Sequence, residues 1–333
     1  MAKRFKVLRV DAMENAGKMT EEEEELAKAD AELVFARCAT EDEIIKAIQD
    51  ADGVLTGGAH MTRRVMEAAT KCKVIVRYGV GYDTLDVDAA TDNGIIIANV
   101  PDFCWEEVSN HAIALLLNCA KKIPLLNDFI KRGKGAETRR VLAPMVAIHG
   151  QTLGIIGCGN IGRMTARKAQ CFDLKVLGYD PYVDKSLAKE SGITLVSLPE
   201  LLKKSDFVVM HPLLNKETWH MMGEKEFKQM KPTAYFINVA RGPVVDEPAL
   251  TKALQEKWIA GAALDVFEKE PVDPANPLLK MDNVVVTPHS ASYSDSAFKL
   301  LRTCVGKAAA DVLLGRWPKS VVNKSVKPKV KLV

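Results

Sequence analysis

The chain has 333 residues, enough at ~150 residues per domain for about two domains that each bury a core. Its 46 basic and 43 acidic groups leave a net charge of +3, and no basic stripe interleaved with aromatics is visible, so composition argues against nucleic acid as a partner. No apolar run nears the ~20 residues that span a bilayer, the N-terminus passes from Met1-Ala-Lys-Arg straight into strand-like sequence, and the seven cysteines are scattered without metal or redox spacing. These features predict a cytoplasmic protein with reduced thiols, no metal and no membrane partner.

From the N-terminus, Phe5 to Val10 reads as a strand and the acidic stretch Thr20 to Lys28 as a helix, with the run 21–25 as its solvated face. A strand at Glu32 to Phe35 follows, then a helix opened by the capping box Thr40-x-x-Glu43. Val54-Leu55, Val74 to Arg77 and Ile95 to Asn99 supply further strands, with Thr62 and Asp86 as helix caps and Gly94 as a helix stop. Such alternation predicts a parallel sheet with helices on both faces. Glu106 to Lys121 is apolar on almost every side at Ile113-Ala-Leu-Leu-Leu, which predicts a helix buried between domains or between subunits.

A second α/β unit begins near Gly150. The strand Leu153 to Ile156 runs into Gly157-x-Gly159-x-x-Gly162, a helix follows to Cys171, and a second strand from Lys175 ends at Asp180. Strand, glycine turn, helix and acidic residue in this order are the fingerprint of a dinucleotide site. Gly157 allows the tight turn, Gly159 lets backbone approach a pyrophosphate, Gly162 lets helix meet strand, and Asp180 takes the adenine-ribose hydroxyls.

Farther on, three apolar runs end in a charged or titratable residue beside Gly or Pro: Arg241 in Asn238-Val-Ala-Arg-Gly, Glu270 in Asp265-Val-Phe-Glu-Lys-Glu-Pro, and His289 in Thr287-Pro-His-Ser. Strand ends are where open α/β sheets keep their chemistry. Imidazole suits acid/base work near neutral pH, and a guanidinium fork suits a planar carboxylate. Glu268 competes with Glu270 as the partner of His289, whereas Asn238 reads as a backbone anchor. The basic segment Lys324 to Val333 reads as a solvated tail.

Over nearly its whole length the chain resembles the D-isomer-specific 2-hydroxyacid dehydrogenase family. The resemblance lies in Arg77-Tyr-Gly-Val-Gly-Tyr-Asp, Val100-Pro-Asp-Phe-Cys-Trp-Glu-Glu-Val, the glycine motif, Leu201 to His211, Met230 to Asp246, and the Glu270-Pro and Pro288-His segments. It implies two doubly wound parallel-sheet α/β domains. One is a Rossmann NAD-binding domain at 103–297; the other is a smaller, discontinuous, flavodoxin-like substrate domain built from 1–102 and 298–333. It also implies NAD-dependent hydride transfer between nicotinamide and C2 of a small D-2-hydroxy or 2-oxo acid, as in glyoxylate/hydroxypyruvate reductases. The alternatives are a 3-phosphoglycerate dehydrogenase and a dinucleotide-sensing corepressor resembling C-terminal-binding protein. Formate dehydrogenases of the same scaffold carry Gln where this chain has Glu270.

By the same resemblance Arg241, Glu270 and His289 are catalytic. Val80, Gly81 and Tyr78 join Arg241 in holding substrate, the glycines letting backbone amides face the carboxylate. Gly157, Gly159, Asn160, Ile161, Gly162, Asp180, His211, Val239, Ala240, Asp265 and His289 would contact the cofactor, Asp265 through the nicotinamide carboxamide. His60 and Trp105 are pocket candidates, and a homodimer through the region of Glu106 to Lys121 is implied. The chain departs from the family pattern at Leu213, where proline is usual, at Trp219, where a small or basic residue is common, and in Ala136-Glu-Thr-Arg-Arg, which lacks an aromatic.

Overall fold

The computed structural model describes residues 4–11, 20–145 and 147–333. The chain forms two compact units, one comprising the described residues up to Phe103 together with Ser294–Val333, the other Cys104–Tyr293.

The first unit holds five parallel strands, β1 (Phe5–Arg9), β2 (Ala31–Phe35), β3 (Gly53–Thr56), β4 (Val74–Arg77) and β5 (Ile96–Ala98), in the order β2-β1-β3-β4-β5. The strand order reverses between β1 and β3. The central strand β3 is buried at every position, as a parallel sheet covered on both faces requires. Its helices start on side-chain caps: Thr40 and Thr20 each form a reciprocal capping box, with Glu43 and Glu23. Thr62 and Asp86 cap Val65 and Ala89, and Gly94 takes a left-handed φ of 62° after the helix Val87–Asp92.

Two sequence expectations for this unit are overturned. The run 21–25 is not a solvated face, because Glu22 is 0% exposed. Its carboxylate accepts hydrogen bonds from Arg9 Nη1 at 2.9 Å, Tyr78 Oη at 2.7 Å and Arg302 Nε at 2.7 Å. The C-terminal helix Asp295–Leu313 crosses the helix Glu21–Ala27 so closely that a Cβ on Gly306 would stand 2.7 Å from Glu22 Cα. Nor is segment 324–333 a free tail. Just before it, Asn323 accepts from the Ile97 amide and donates to the Ile95 carbonyl. Within it, the Lys329 amide donates to Gly94 O and its Nζ to Ala69 O. Unpaired backbone groups beyond β5 were thus available to dock it, a long-range opportunity that local composition does not display.

The second unit holds seven parallel strands: β6 (Thr152–Ile156), β7 (Lys175–Tyr179), β8 (Thr194–Leu195), β9 (Phe207–Met210), β10 (Tyr235–Asn238), β11 (Gly261–Leu264) and β12 (Val284–Val286). Their order is β12-β11-β10-β9-β6-β7-β8, reversing between β6 and β9. Strands β9 and β11 are wholly buried, and Phe207, Phe227 and Phe236 anchor the core. The helix Trp105–Lys121 packs on the helix Asn160–Gln170 and on β10, β11 and β12. Its apolar surface is therefore covered within its own unit, and burial between domains or subunits is not needed to explain it. Just beyond this helix Ile123, Ile130 and Leu142 are exposed.

Candidate active site

Beside the reversal point of the larger sheet, β6 ends in the glycine turn. Gly157 has a φ of 89°, and a Cβ there would stand 2.6 Å from Pro212 N. A Cβ on Gly162 would meet Gly157 O at 2.2 Å, so the helix Asn160–Gln170 can leave the turn only without a side chain there. Gly159 differs, because a Cβ on it would meet nothing within 4 Å. Contacts within the protein explain the first and third glycines, while open space over the second suits the approach of a ligand. The helix begins on Gly159 without a side-chain cap, so its first-turn amides and positive dipole end are free for an anion. Asp180 closes the turn from the end of β7, accepting from the Cys158 amide at 2.8 Å and the Tyr182 amide at 2.9 Å. These residues fit the pyrophosphate and ribose of a dinucleotide.

Beside the turn, His211 pairs with Thr165 Oγ1 at 3.0 Å, and burial pushes its imidazole down to about 3, which makes it a neutral wall and not an acid. Burial likewise pushes the Cys104 and Cys158 thiols up to about 12, so neither is an activated nucleophile.

Three loops carry the remaining chemistry of this unit. Asn238, 1% exposed at the end of β10, accepts from the Ala240 amide at 3.0 Å and donates to Arg241 O at 2.9 Å. It thereby fixes the turn of Val239, Ala240 and Arg241. A Cβ on Gly242 would fall 1.7 Å from Phe267 O, so this turn lies directly against the loop that follows β11. That loop carries both acidic candidates, and the geometry separates them. Glu268 pairs with His220 Nε2 at 2.9 Å and accepts from the Glu247 amide. Glu270 Oε2 lies 2.7 Å from His289 Nδ1, while its Oε1 accepts from the Phe267 amide. Burial opposes ionisation of Glu270, but the bonds from His289 and Phe267 and the nearby Arg241 charge outweigh it, holding the carboxyl below the usual carboxylate range.

His289 adopts a left-handed φ of 54°, uncommon outside glycine, and its backbone amide donates to Asp265 O at 2.7 Å. The Asp265 carboxylate is 1% exposed and accepts from Thr287 Oγ1, the Ser290 amide and the Ala291 amide at 2.6, 2.9 and 2.9 Å. Burial raises its proton affinity, but these donors and His111 hold the group down at about 2. Its contacts are those of a residue that organises the His289 loop. His111, to which the sequence assigned no role, reaches Thr287 Oγ1 at 2.9 Å from the helix Trp105–Lys121. Its position opposite the ends of β11 and β12 was the missing signal.

Val80, Gly81 and Tyr78 belong to the other unit. Gly79 turns the chain with a φ of 128°, and Asn99 Nδ2 donates to Val80 O at 2.8 Å. The Val80 and Gly81 amides make no hydrogen bond to any described residue. Tyr78 is 8% exposed and gives its hydroxyl to Glu22, so it anchors this loop from behind.

Residues 113–291 match the family described as D-isomer specific 2-hydroxyacid dehydrogenase, NAD binding domain. The chain is 41% identical over 303 residues to D-3-phosphoglycerate dehydrogenase of Methanocaldococcus jannaschii, covering 90% of this chain but 57% of that protein's length. To glyoxylate reductase of Korarchaeum cryptofilum it is 40% identical over 288 residues, 85% of this chain and 86% of that one. The crystal structure of D-lactate dehydrogenase from Aquifex aeolicus, complexed with NAD and lactic acid, superposes with a TM-score of 0.83 at 29% identity, over 96% of this chain and 99% of that one. The chain thus belongs to the D-isomer-specific 2-hydroxyacid dehydrogenases, a family of NAD(P)-dependent oxidoreductases.

Proposed function

We propose that the chain reduces glyoxylate and hydroxypyruvate to the corresponding 2-hydroxy acids with NADH. The observation that carries this reading is the His289–Glu270 pair, a titratable imidazole oriented by a carboxylate at the strand-end edge of the dinucleotide unit. With Nδ1 held by Glu270, Nε2 is the atom left to face substrate. The bound nicotinamide supplies the hydride to C2. The protonated His289 gives its proton to the carbonyl oxygen, and in the reverse direction recovers it from the hydroxyl. Glu270 holds the ring in place in both directions. Arg241, on its rigid turn, holds the substrate carboxylate and polarises the C=O. In the smaller unit the Val80 and Gly81 amides are assigned to substrate by the resemblance, with Gly79 setting the turn and Tyr78 fixing it from behind. Asp265 and His111 act through the His289 loop.

Relatives named glyoxylate reductase support the choice of substrate. The phosphoglycerate dehydrogenase relative favours 3-phosphoglycerate as the second reading. Asp180 supports NADH over NADPH, because its charge stands where a 2′-phosphate would lie and Pro181-Tyr182 offers no arginine to receive one. Initial rates for glyoxylate, hydroxypyruvate, pyruvate, phenylpyruvate and 3-phosphohydroxypyruvate with each cofactor test all of this. The expected outcome is highest kcat/KM for glyoxylate or hydroxypyruvate with NADH. Equal or better use of NADPH overturns the cofactor assignment, and absence of turnover with every acid favours the corepressor reading.

The protein is also proposed to be a cytoplasmic homodimer. Among the described residues no helix is long and apolar enough to cross a membrane. The helix Ile123–Lys131, which follows Trp105–Lys121, has no buried residue and exposes 52% of Ile123 and 63% of Ile130. A single sedimenting species of twice the chain mass is expected, collapsing to monomer in Ile130→Asp; a monomeric wild type refutes the dimer. Cell fractionation checks the compartment.

A further inference from the structure

Glu247 and Glu268 bind each other's backbones. The Glu268 amide donates to Glu247 Oε2 at 2.9 Å, and the Glu247 amide donates to Glu268 Oε2 at 3.2 Å. Each carboxylate gives its other oxygen to a side chain: Glu247 Oε1 accepts from Asn276 Nδ2 at 2.6 Å, and Glu268 Oε1 lies 2.9 Å from His220 Nε2. All four oxygens therefore have a partner. Two carboxylates side by side repel one another, so the arrangement depends on the donors fixed against each oxygen.

The two glutamates belong to the two segments that carry the proposed chemistry. Glu247 opens the helix Glu247–Gln255 directly after the turn of Arg241, and Glu268 lies on the loop after β11, two residues before Glu270. These segments already touch where Gly242 leaves no room for a side chain against Phe267 O. That contact sets how closely they approach; the reciprocal amide bonds set their register. A third segment locks the pair. The His220 amide donates to Pro243 O at 2.9 Å and the Met222 amide to Val244 O at 3.2 Å, so His220 is anchored on the Arg241 turn while its ring holds the Glu270 loop. His220 takes a left-handed φ of 49°, and Trp219 stacks on its ring with centroids 4.8 Å apart. The consequence reaches the reacting groups. Glu270 is tied to this loop through the Phe267 amide, and the Arg241 charge is near enough to favour its ionised form.

We propose that Glu247, Glu268 and His220 form a clasp that fixes Arg241 relative to the Glu270–His289 pair, and that all three are positioning residues for hydride transfer. The proposal rests on the reading that Arg241 holds the substrate and His289 is its acid/base. Both groups act on one substrate at once, so a shift of about 1 Å between their supports is enough to cost on the order of 10²-fold in rate.

The experiment measures kcat and KM for hydroxypyruvate, and NADH binding separately, in wild type, Glu268→Ala, Glu268→Gln and Glu247→Gln, each with Arg241 present and with Arg241→Ala. Glu268→Ala is expected to lower kcat by about 10- to 100-fold with NADH affinity unchanged. Glu268→Gln should keep most of the activity, because its oxygen can accept from the Glu247 amide and its NH2 can face His220 in the other tautomer. Glu247→Gln should fall between the two. Asn276 spends its Oδ1 on the Leu278 amide, so its Nδ2 faces residue 247, and a single carboxamide oxygen cannot stand in both places that the carboxylate oxygens fill.

With Arg241 already replaced, Glu268→Ala should cost far less, since no guanidinium remains to be aligned, whereas a loss of folded protein would cost the same factor in both backgrounds. Equal losses in the two backgrounds overturn the proposal, as does wild-type activity in Glu268→Ala or a Glu268→Gln as slow as the alanine variant. Amide hydrogen exchange gives a readout that needs no turnover: segments 241–247 and 265–270 should exchange faster in Glu268→Ala and as in wild type in Glu268→Gln. If wild type reduces no 2-oxo acid, the enzymatic reading fails, and the exchange measurement alone decides whether the clasp exists.

Discussion

Replacing His289 with alanine is expected to lower the turnover of 2-oxo acid reduction by on the order of 10²- to 10⁴-fold, the usual worth of a positioned acid/base, with NADH binding nearly intact. The separation follows from the fold. The glycine turn and Asp180 sit at the ends of β6 and β7, whereas His289 rides on the loop after β12, held by Asp265. Glu270→Gln should cost less, because the amide oxygen can still accept from His289 Nδ1 but brings no charge to the pair. The measurement is a pH profile of kcat/KM in wild type and both variants, with cofactor binding titrated separately. An unchanged kcat/KM in Glu270→Gln at every pH would separate Glu270 from the acid/base function. Glu268 would not then inherit the role, because His220 and the Glu247 amide already engage it.

Glu22→Ala is expected to destabilise the smaller unit by about 3–5 kcal/mol, the cost of leaving buried charges without their partner. Arg9 would lose its carboxylate, Arg302 would keep only Glu21 at 3.2 Å, and the Tyr78 phenol, which burial keeps neutral, would lose its acceptor. The pH dependence has a definite sign. Burial works against Glu22, yet hydrogen bonds from Tyr78 and Arg302 hold its carboxyl below its ordinary value of 4.5. A carboxylate depressed in the folded state contributes its full stability above that ordinary value and loses it as pH falls through the lowered one. Urea unfolding, followed by a probe in the smaller unit because two units need not unfold together, should show a lower midpoint for Glu22→Ala at neutral pH. The deficit should shrink as pH falls below 4.5. Coincident midpoints at neutral pH would show that the cluster contributes nothing.

The dinucleotide turn was legible because its information is local: an apolar strand, glycines at fixed offsets, a helix and an acid all lie between Leu153 and Asp180. The caps at Thr40, Thr62 and Asp86 were legible for the same reason. What the sequence concealed depends on partners far along the chain. Glu22 looks like one more acid in an exposed run until Arg302, 280 residues away, is placed against it. Asp11 Oδ2 accepts from the Gly57, Gly58 and Ala59 amides and from Thr56 Oγ1, 45 to 48 positions away. Two positions apart, Glu268 and Glu270 are equivalent by composition, and only the turn of the loop separates them. The apolar girth of the helix Trp105–Lys121 signalled burial correctly but not against what, since period alone names no partner.

The interrupted connectivity of the smaller unit also orders events during synthesis. Chains emerge N-terminus first and fold by domains. The five strands of the smaller sheet are made early, but the helix Asp295–Leu313 that packs on Glu21–Ala27, and Asn323, which bonds to Ile97 across 226 positions, leave the ribosome last. The uninterrupted unit Cys104–Tyr293 has all its residues before then and folds first. Until the last residues arrive, Glu22 lacks Arg302 and the loop bearing Val80 and Gly81 lacks its completed support. The nascent protein therefore gains the fold of its larger unit before the smaller one is finished.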